Sequence, residues 1–190
     1  KICKYFDIPI QHFSDDILKK MNRKTTGKNI INIINRIREE IPEAIIRTSL
    51  IVGFPGETEE DFICLEKAVK DIRFDRLGCF TYSKEDGTPA AKFENQVHSK
   101  TKEKRRNIVM RLQNAISEEK MQSRVGEVHE VLICDISDDG LFYVGRSYMD
   151  SPDTDGVIYI SGAKEDIMNK FVRCKIVGFE EYDLFAEVIE

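Results

Sequence analysis

The stretch "IVGFPGETEEDF", residues Ile51–Phe62, decides the fold of the first half of the chain. An apolar run meets two glycines and a proline, and a cluster of acidic residues follows at once. This order predicts a strand, a tight turn and the start of a helix. Thr58 is the predicted N-cap of that helix, and Asp61 stands at the capping-box position three residues later.

Turns of this kind often bind phosphate, but this one lacks the known phosphate motifs. It has neither the Gly-Lys-Ser/Thr of a Walker loop nor the spacing GxGxxG. Four carboxylates follow within five residues, on Glu57, Glu59, Glu60 and Asp61. Because a helix N-terminus offers only about half a positive charge, these acids would repel a phosphate. The sequence therefore predicts a self-capped helix whose glycine turn admits an uncharged or cationic group to the backbone.

Outward from this turn, strands and helices alternate through the first half of the chain. Strands are predicted at residues 2–10, 44–54 and 75–83, and the last is followed by a loop at 84–98. Helices are predicted after the N-cap Ser14 and over residues 27–40, 58–72 and 99–121, with Pro42 ending the second. This order implies parallel strands with crossover helices, an α/β fold.

The second half changes character. Five short strands are predicted, in "EVHEVLICDIS", "LFYVGRSY", "GVIYI", "KFVRCKIVGFEEY" and "LFAEVIE". Asp139-Gly140 predicts a two-residue hairpin, and Tyr182-Asp183 marks a further turn. Five short strands in about 65 residues are typical of a small antiparallel barrel. We therefore predict two domains, at residues 1–122 and 123–190.

Composition limits the class of protein. Of 190 residues, 41% are hydrophobic and 33% are charged, as in a globular protein. No apolar run approaches the roughly 20 residues that a membrane span needs, and the first residues lack the architecture of a signal peptide. We expect a cytoplasmic protein with no membrane partner. Since the chain starts without Met, in the middle of a predicted strand, we expect it to be a piece of a longer protein.

Cysteine and histidine are scattered. No two of the five cysteines lie within ten residues of each other, no CxxC occurs, and the three histidines have no metal-ligand spacing. A zinc or iron-sulfur site built from this chain alone is therefore not expected. We expect reduced, buried cysteines.

Charge is divided unequally along the chain. Residues 124–190 carry 6 Lys and Arg against 15 Asp and Glu, a net charge of −9, whereas residues 1–123 carry 23 against 19, a net charge of +4. Two modules with different partners are one interpretation, and an acidic solvated surface is the other.

Ligands of parallel α/β folds bind at the carboxyl ends of the strands. Alternation along the strands places Asp7, Gln11, Arg47 and Ser49 on the face opposite the more apolar one. These polar groups need partners, either from a ligand or from each other, as in a structural pair of Arg47 with Asp7. Ser83, at the end of the third strand, is either a ligand-binding or a turn residue.

Four segments carry a resemblance to a known family: "DIPIQHFSDDILKKMNR", "RTSLIVGFPGETEEDF", "DRLGCFTYSKEDGTPAA" and "GRSYMDSPDTDG". In order and spacing they resemble consecutive signature blocks of the radical-SAM methylthiotransferases. The resemblance implies the C-terminal half of a radical-SAM β/α barrel, followed by a five-stranded antiparallel TRAM β-barrel.

Two branches of that family are candidates. The last two segments resemble the branch that methylthiolates an aspartate of a small-subunit ribosomal protein, and the alternative is the branch that modifies transfer RNA. A non-catalytic module that binds RNA or protein is a third possibility. A barrel of net charge −9 suits a basic ribosomal protein better than phosphate. The basic helix 99–121 is a candidate contact for ribosomal RNA, or else a solvated helix face.

The resemblance also implies cofactors and site residues. The family uses S-adenosylmethionine and two iron-sulfur clusters, whose cysteine ligands are absent from this chain, so the chain alone should be inactive. The implied S-adenosylmethionine contacts are Gln11 near the ribose and Arg47 and Ser49 near the methionine end. Val52, Gly53 and Phe54 would line the adenine, and the backbone around Tyr82 and Ser83 would close the pocket. No catalytic or metal-binding residue is assigned to this chain.

Overall fold

The computed structural model describes residues 2–189, so Lys1 and Glu190, the outer ends of the two predicted domains, lie outside the described residues. None of the helices in that range is long and apolar enough to cross a membrane. The elements, apart from a short 3-10 helix at Pro89–Lys92, are β1 (Tyr5–Asp7), α1 (Asp15–Lys20), α2 (Gly27–Glu40), β2 (Ile45–Val52), α3 (Glu59–Ile72), β3 (Arg76–Thr81), α4 (Ser99–Arg124), β4 (Val128–Ile136), β5 (Tyr143–Arg146), β6 (Ile158–Ser161), β7 (Phe171–Glu180) and β8 (Asp183–Val188).

The chain divides into two compact units. One is Phe6–Ile116, which we call the α/β unit, and the other is the remainder of the described chain, which we call the barrel unit. The domain boundary that the sequence places after residue 122 remains a prediction.

In the α/β unit, β1, β2 and β3 lie side by side in that order. β2 and β3 are parallel and in register, with Ser49 opposite Gly78 and Ile51 opposite Phe80, as crossover helices require. One face of β2 is fully buried, and all four helices contribute residues to the same core. Its members include Ile46, Leu50, Val52, Leu18, Ile34, Leu65, Val69 and Val109.

The helix limits agree closely with the predictions because the capping residues are strong local signals. The hydroxyls of Ser14, Thr26 and Thr58 each accept a backbone N–H at the start of α1, α2 and α3. Thr58 and Asp61 form the predicted capping box in full. α4 starts at the predicted Ser99 but continues three residues further than predicted.

The first strand is much shorter than predicted. Only Tyr5–Asp7 is strand, although the N–H of Ile8 still donates to Arg47 O over 2.9 Å. Pro9 has no N–H to offer, and the N–H of Ile10 is directed at the Thr48 hydroxyl over 3.4 Å instead of a strand carbonyl. Pairing resumes at Gln11, which forms a single parallel bridge with Leu50.

In the barrel unit the five predicted strands close into a ring in the order β4-β5-β6-β8-β7. The last residue of the predicted fifth strand, Glu190, lies outside the described range. The prediction of a wholly antiparallel barrel is wrong at one contact, because β6 and β8 run parallel. A closed ring of five strands cannot alternate direction throughout, so at least one pair must be parallel. The other four pairs are antiparallel.

Both predicted turns of the barrel exist, but the first is longer than predicted and the second lies one residue earlier than predicted. The first is a longer hairpin than Asp139-Gly140 alone: the N–H of Ser137 donates to Phe142 O, which leaves residues 138–141 in the loop. Asp139 stabilises this loop by accepting the N–H of Leu141 over 3.0 Å. In the second turn Glu180 pairs with Asp183, so the left-handed residue is Glu181, one position before the predicted pair.

All five cysteines are free thiols, but only Cys79 and Cys174 are buried. The expectation of burial is wrong for Cys3, Cys64 and Cys134, which are exposed. Burial raises the pKa of Cys79 to about 12 and that of Cys174 to about 11, so both remain protonated at neutral pH.

Candidate functional site

The carboxyl ends of the three parallel strands bring the predicted site residues to one edge of the sheet. Gln11 follows β1, residues 52–54 end β2, and Tyr82 follows β3. Backbone hydrogen bonds join them: the N–H of Gln11 donates to Ser49 O over 2.9 Å, and the N–H of Tyr82 donates to Val52 O over 2.9 Å. Gln11 has a φ of 75°, a left-handed conformation that is uncommon outside glycine and often marks a functional site.

The turn after β2 is occupied by a carboxylate of the chain itself. Glu57 Oε2 accepts the backbone N–H of Gly53 over 2.5 Å and that of Phe54 over 3.2 Å. These are the donors with which such a turn would bind an external anion. Repulsion by four acids was the predicted reason for excluding phosphate, but occupation of the turn by Glu57 is the more direct one.

Lysine side chains approach both glycines of the turn. Gly53 and Gly56 have φ of 72° and 80°, in the region that favours glycine. A Cβ added to Gly53 would lie 2.3 Å from Lys102 Cγ, and one added to Gly56 would lie 2.8 Å from Lys20 Nζ. Lys20 Nζ also donates to Gly56 O over 3.1 Å. The sequence predicts an uncharged or cationic group at this backbone, and the chain itself supplies both kinds: the methylenes of Lys102 at Gly53 and the ammonium of Lys20 at Gly56.

One face of α4 holds the strand ends in place. Lys102 Nζ donates to Tyr82 O over 2.8 Å, and Arg106 Nε donates to Cys79 O over 3.1 Å. Between these two, Arg105 Nη1 binds Glu57 Oε1 over 2.8 Å, and Arg105 Nη2 binds Glu59 Oε2 over 3.0 Å. We call Glu57 and Arg105, both buried, the buried ion pair.

His12 lies behind the turn and is fully buried. Its Nδ1 accepts the N–H of Ser14 over 2.9 Å, so Nε2 carries the proton, 3.8 Å from Glu57 Oε2. Burial lowers the pKa of His12 to about 4, with Asp61 opposing the shift and Arg105 adding to it. His12 is therefore neutral at pH 7.

Burial also acts on Glu57. It raises the pKa of the carboxyl, while Arg105 and the N–H groups of Gly53 and Phe54 act in the opposite direction. All three contacts of this carboxylate are donors, so the geometry is that of the ionised form.

The open face of the sheet carries the predicted polar residues. Arg47, Ser49 and Ile51 are half-buried on it, away from the helices. Arg47 Nη1 binds Asp7 Oδ2 over 2.6 Å, which is the structural pair that the sequence left as one alternative. Opposite Ser49 stands Gly78, which has no side chain, and the Phe80 ring lies beside this glycine, 3.2 Å from where a Cβ would be. A ligand contact of Arg47 or Ser49 remains a prediction.

Aromatic side chains form the rest of the edge. The Phe54 ring is buried and makes edge contacts with Tyr82, at 5.1 Å between centroids, and with Phe93, at 6.2 Å. The Tyr82 hydroxyl is buried without a hydrogen-bond partner among the described residues. Val52 points into the core, so only its backbone faces the edge, and Ser83 is exposed beyond Tyr82.

Sequence reasoning missed His12, Arg105 and the anchoring role of Glu57. Arg105 is one of five Lys and Arg in residues 100–106, and this density of charge made the segment look like a solvated face. The only local signal was its place in the row of 102, 105, 109 and 113, which returns to the same side of a helix. His12 and Glu57 lie 45 residues apart, and only the folded sheet brings them together.

Comparison with known families gives the class of protein. Residues 1–68 match the radical SAM superfamily, and residues 125–189 match the TRAM domain. The chain belongs to the radical-SAM methylthiotransferases that the sequence blocks resemble.

Two relatives with high identity to this chain share one name. The chain is 56% identical over 99% of its length to ribosomal protein uS12 methylthiotransferase RimO of Alkaliphilus oremlandii, and 49% identical over 100% to the protein of that name of Acetivibrio thermocellus. It spans only 43% and 42% of the length of these relatives. Among solved structures, it is similar to coproporphyrinogen III oxidase (HemN) from Escherichia coli, a radical SAM enzyme, with 16% identity, a TM-score of 0.48 and coverage of 98% of this chain and 45% of the other.

Proposed function

We propose that the full-length protein containing this chain is a transferase that adds a methylthio group to the β-carbon of an aspartate in ribosomal protein uS12 by radical-SAM chemistry. The observation that carries this proposal is the 56% identity to a uS12 methylthiotransferase across the whole chain, barrel unit included. By this proposal the protein acts in the cytoplasm, where ribosomal proteins are found.

In this proposal the edge of the α/β unit forms one wall of a pocket for S-adenosylmethionine. One observation supports the fit of such a ligand: the buried Tyr82 hydroxyl has no hydrogen-bond partner among the described residues. Gln11 lies at the same edge in a left-handed conformation, with its backbone N–H and C=O both bonded to β2. The full set of proposed contacts is Gln11, Arg47, Ser49, Val52, Gly53, Phe54, Tyr82 and Ser83.

The donor set of this chain does not fit an iron-sulfur cluster. Within residues 2–189 no three His, Cys, Asp or Glu side chains are grouped so that they could hold a metal ion. We propose that two clusters are bound by another part of the full-length protein, where they supply the electrons and the sulfur. The chain alone should then be inactive, and its residues bind and orient the adenosyl ligand.

The barrel unit, residues 123–190 in the proposed division, would dock the basic ribosomal protein. Support comes from its charge, since residues 124–190 carry −9 and complementary charge favours encounter with a basic partner. The basic residues of α4 that do not face the sheet are a proposed contact with ribosomal RNA.

The experiment is a methylthiolation assay with the reconstituted full-length protein, a reductant and S-adenosylmethionine. We expect uS12 to gain the mass of one methylthio group on an aspartate, located by peptide mapping, and the 190-residue chain alone to give no product. Modification of transfer RNA, and not of uS12, would identify the alternative branch of the family. If the masses of both uS12 and transfer RNA stay unchanged, the result would favour a binding module.

A further inference from the structure

Three aromatic side chains meet on the outer surface of the barrel. We call Phe142, Tyr159 and Phe185 the aromatic trio. The Tyr159 and Phe185 rings are stacked, with 5.5 Å between centroids and 24° between planes. Phe142 contacts both edge-on, at 6.0 and 6.1 Å. The three rings therefore form one continuous apolar surface.

The trio faces outward because the neighbouring residues on the same strands fill the interior. Ile158 and Ile160 flank Tyr159 on β6 and are fully buried, and Leu184 and Ala186 flank Phe185 in the same way on β8. Tyr159 and Phe185 are directly opposite each other in the parallel pair and are only half-buried. Aromatic side chains are not needed there to fill the core.

The surface beside the trio is open. The residue opposite Phe185 on β7 is Gly178, which has no side chain, and a Cβ added there would meet nothing within 4 Å. The rings are therefore accessible from the β7 side.

Acidic groups border the trio. Glu187 follows Phe185 by two residues and lies on the same face of β8. Asp135 is two strands away from Tyr159: Asp135 on β4 pairs with Val144 on β5, and Val144 pairs with Tyr159 on β6. Asp138 and Asp139 are exposed in the hairpin that ends at Phe142. The cations in neighbouring positions are fewer: Lys175, opposite Glu187, and Arg146 on β5.

Resting on the proposed function, we propose that the aromatic trio is the docking surface for a Lys- and Arg-rich segment of the basic protein substrate. Aromatic faces attract ammonium and guanidinium groups, and carboxylates at the border add charge complementarity. Stacked rings could also take RNA bases, but the net charge of −9 over residues 124–190 opposes a phosphate backbone. The geometry and the charge together favour the basic peptide.

The test measures binding of uS12 to the full-length protein that carries Tyr159→Leu and Phe185→Leu. Leucine keeps apolar area on the strand but removes the π face. Because two exposed cation–π contacts are lost, we expect affinity to fall roughly fivefold to thirtyfold. Octa-arginine peptide, as a minimal probe, should lose affinity in parallel. The matched control is Phe171→Leu, which removes an exposed aromatic at the start of β7 outside the trio and should leave affinity unchanged.

A charge variant separates the peptide from RNA. Glu187→Gln should weaken binding of uS12 and of octa-arginine, whereas it should strengthen binding of a single-stranded RNA 12-mer, since a negative charge is lost. Glu130→Gln, an exposed acid opposite Arg173 on the β4–β7 pair, is the control and should have little effect on uS12 binding.

Three results would overturn the proposal: unchanged uS12 affinity in the double leucine variant, an RNA 12-mer that binds tighter than octa-arginine and depends on the trio, or a dimer that the leucine variant converts to monomer. The methylthiolation assay is read separately. If the double variant still modifies uS12 at saturating concentration while affinity is unchanged, the trio inference fails and the proposed function stands. If wild type modifies no uS12, the proposed function fails first.

Discussion

Glu57 is the residue on which the site edge depends. Its carboxylate takes the two turn N–H groups, and Arg105 neutralises it in a place that water does not reach. A buried ion pair contributes little net stability compared with an apolar pair, but removal of one partner leaves a buried charge without compensation. The pair therefore makes the turn intolerant of change at either residue.

Arg105→Met should lower the free energy of unfolding by about 3 kcal/mol, in the range for breaking a buried pair. Arg105 opposes the burial-induced rise in the pKa of Glu57, so its removal raises that pKa further. An acid whose pKa is higher in the folded state than in the unfolded state binds its proton more tightly when the protein is folded, so protonation stabilises the fold. The difference in unfolding free energy between wild type and the Arg105 variant should therefore shrink as the pH falls from 7 towards 5, measured by urea denaturation.

Arg111→Met is the control for this prediction, since Arg111 is exposed on the same helix and donates a hydrogen bond to the Asn107 carbonyl over 3.3 Å. We expect it to cost less than about 0.5 kcal/mol, as surface substitutions usually do. A deficit in the Arg105 variant that stays constant from pH 7 to 5 would contradict the assignment of Glu57 as its partner.

His12 gives a second pH dependence of opposite sign. Its folded pKa of about 4 lies below the ordinary 6.5, so the unfolded chain binds the proton more tightly. The contribution of neutral His12 to the free energy of unfolding is fully present above pH 6.5. It is lost as the pH falls towards 4, by up to about 3 kcal/mol. The difference in unfolding free energy between wild type and His12→Gln, measured from pH 7 to 4.5, should fall steadily. A pH-independent difference would show that His12 is not the titrating group.

At the scale of elements, α4 is the helix that fixes the ends of β2 and β3. Lys102 lies along Gly53 with its stem, reaches Tyr82 O with its ammonium, and stands 4.8 Å from the centre of the Tyr82 ring. Burial lowers the pKa of Lys102, with Glu57 opposing, but its contacts with Tyr82 O and with the Tyr82 ring are those of a charged ammonium. One side chain thereby links the turn after β2 to the end of β3.

Lys102→Met keeps the apolar stem and removes the charged hydrogen bond. If the edge binds S-adenosylmethionine, we expect its dissociation constant in the full-length protein to rise by up to about twelvefold, since a hydrogen bond to a charged group contributes about 1.5 kcal/mol. Lys104→Met, at an exposed position two residues away, should leave the constant unchanged. Equal effects of both substitutions in calorimetric titration would show that only the net charge of the helix matters.

The elements that the sequence predicted well are those with local signals. Ser14, Thr26 and Thr58 mark helix starts through their own hydroxyls, and α2 matches its predicted limits residue by residue. The length of the first strand was overestimated, because an alternating, β-rich pattern is compatible with any extended segment. Only the position of β2 decides where the hydrogen bonding of the strand stops. The predicted site residues Gln11 and Tyr82 do follow strands that end at one edge, since parallel strands end together, and their role as a site stays a prediction. The ion-pair partner of Glu57 could not be predicted, because Arg105 lies 48 residues further along the chain.

At the scale of the whole molecule, closure of the barrel unit depends on β8. Ala186 is fully buried and lies between Ile160 on β6 and Ile176 on β7. The two hairpin turns in the sequence predicted two of the five contacts of the ring, β4–β5 and β7–β8. The parallel β6–β8 contact has no local sequence signal, because it follows from counting strands in a closed ring.

Ala186→Pro should open this ring, since proline removes a backbone donor in the middle of a strand that is paired on both sides. We expect amides of β6 and β7 to lose protection in hydrogen exchange, with a loss of stability of about 3 kcal/mol or more. Asp138→Pro, at the second position of the hairpin turn, is the control, because proline is favoured there. Retained protection in the Ala186 variant would mean that β8 is not needed for closure.

The occupation of the turn by Glu57 has a consequence for selectivity among adenosine compounds. A pocket that accepts adenosine attached to an uncharged or cationic sulfur must still reject ATP, which carries the same base and sugar. The usual feature that welcomes a triphosphate, a set of free backbone N–H groups at a helix start, is already filled here by a side chain that cannot diffuse away. If this edge binds S-adenosylmethionine as proposed, ATP cannot use these backbone donors, and we expect high ATP concentrations to leave S-adenosylmethionine binding by the full-length protein unchanged.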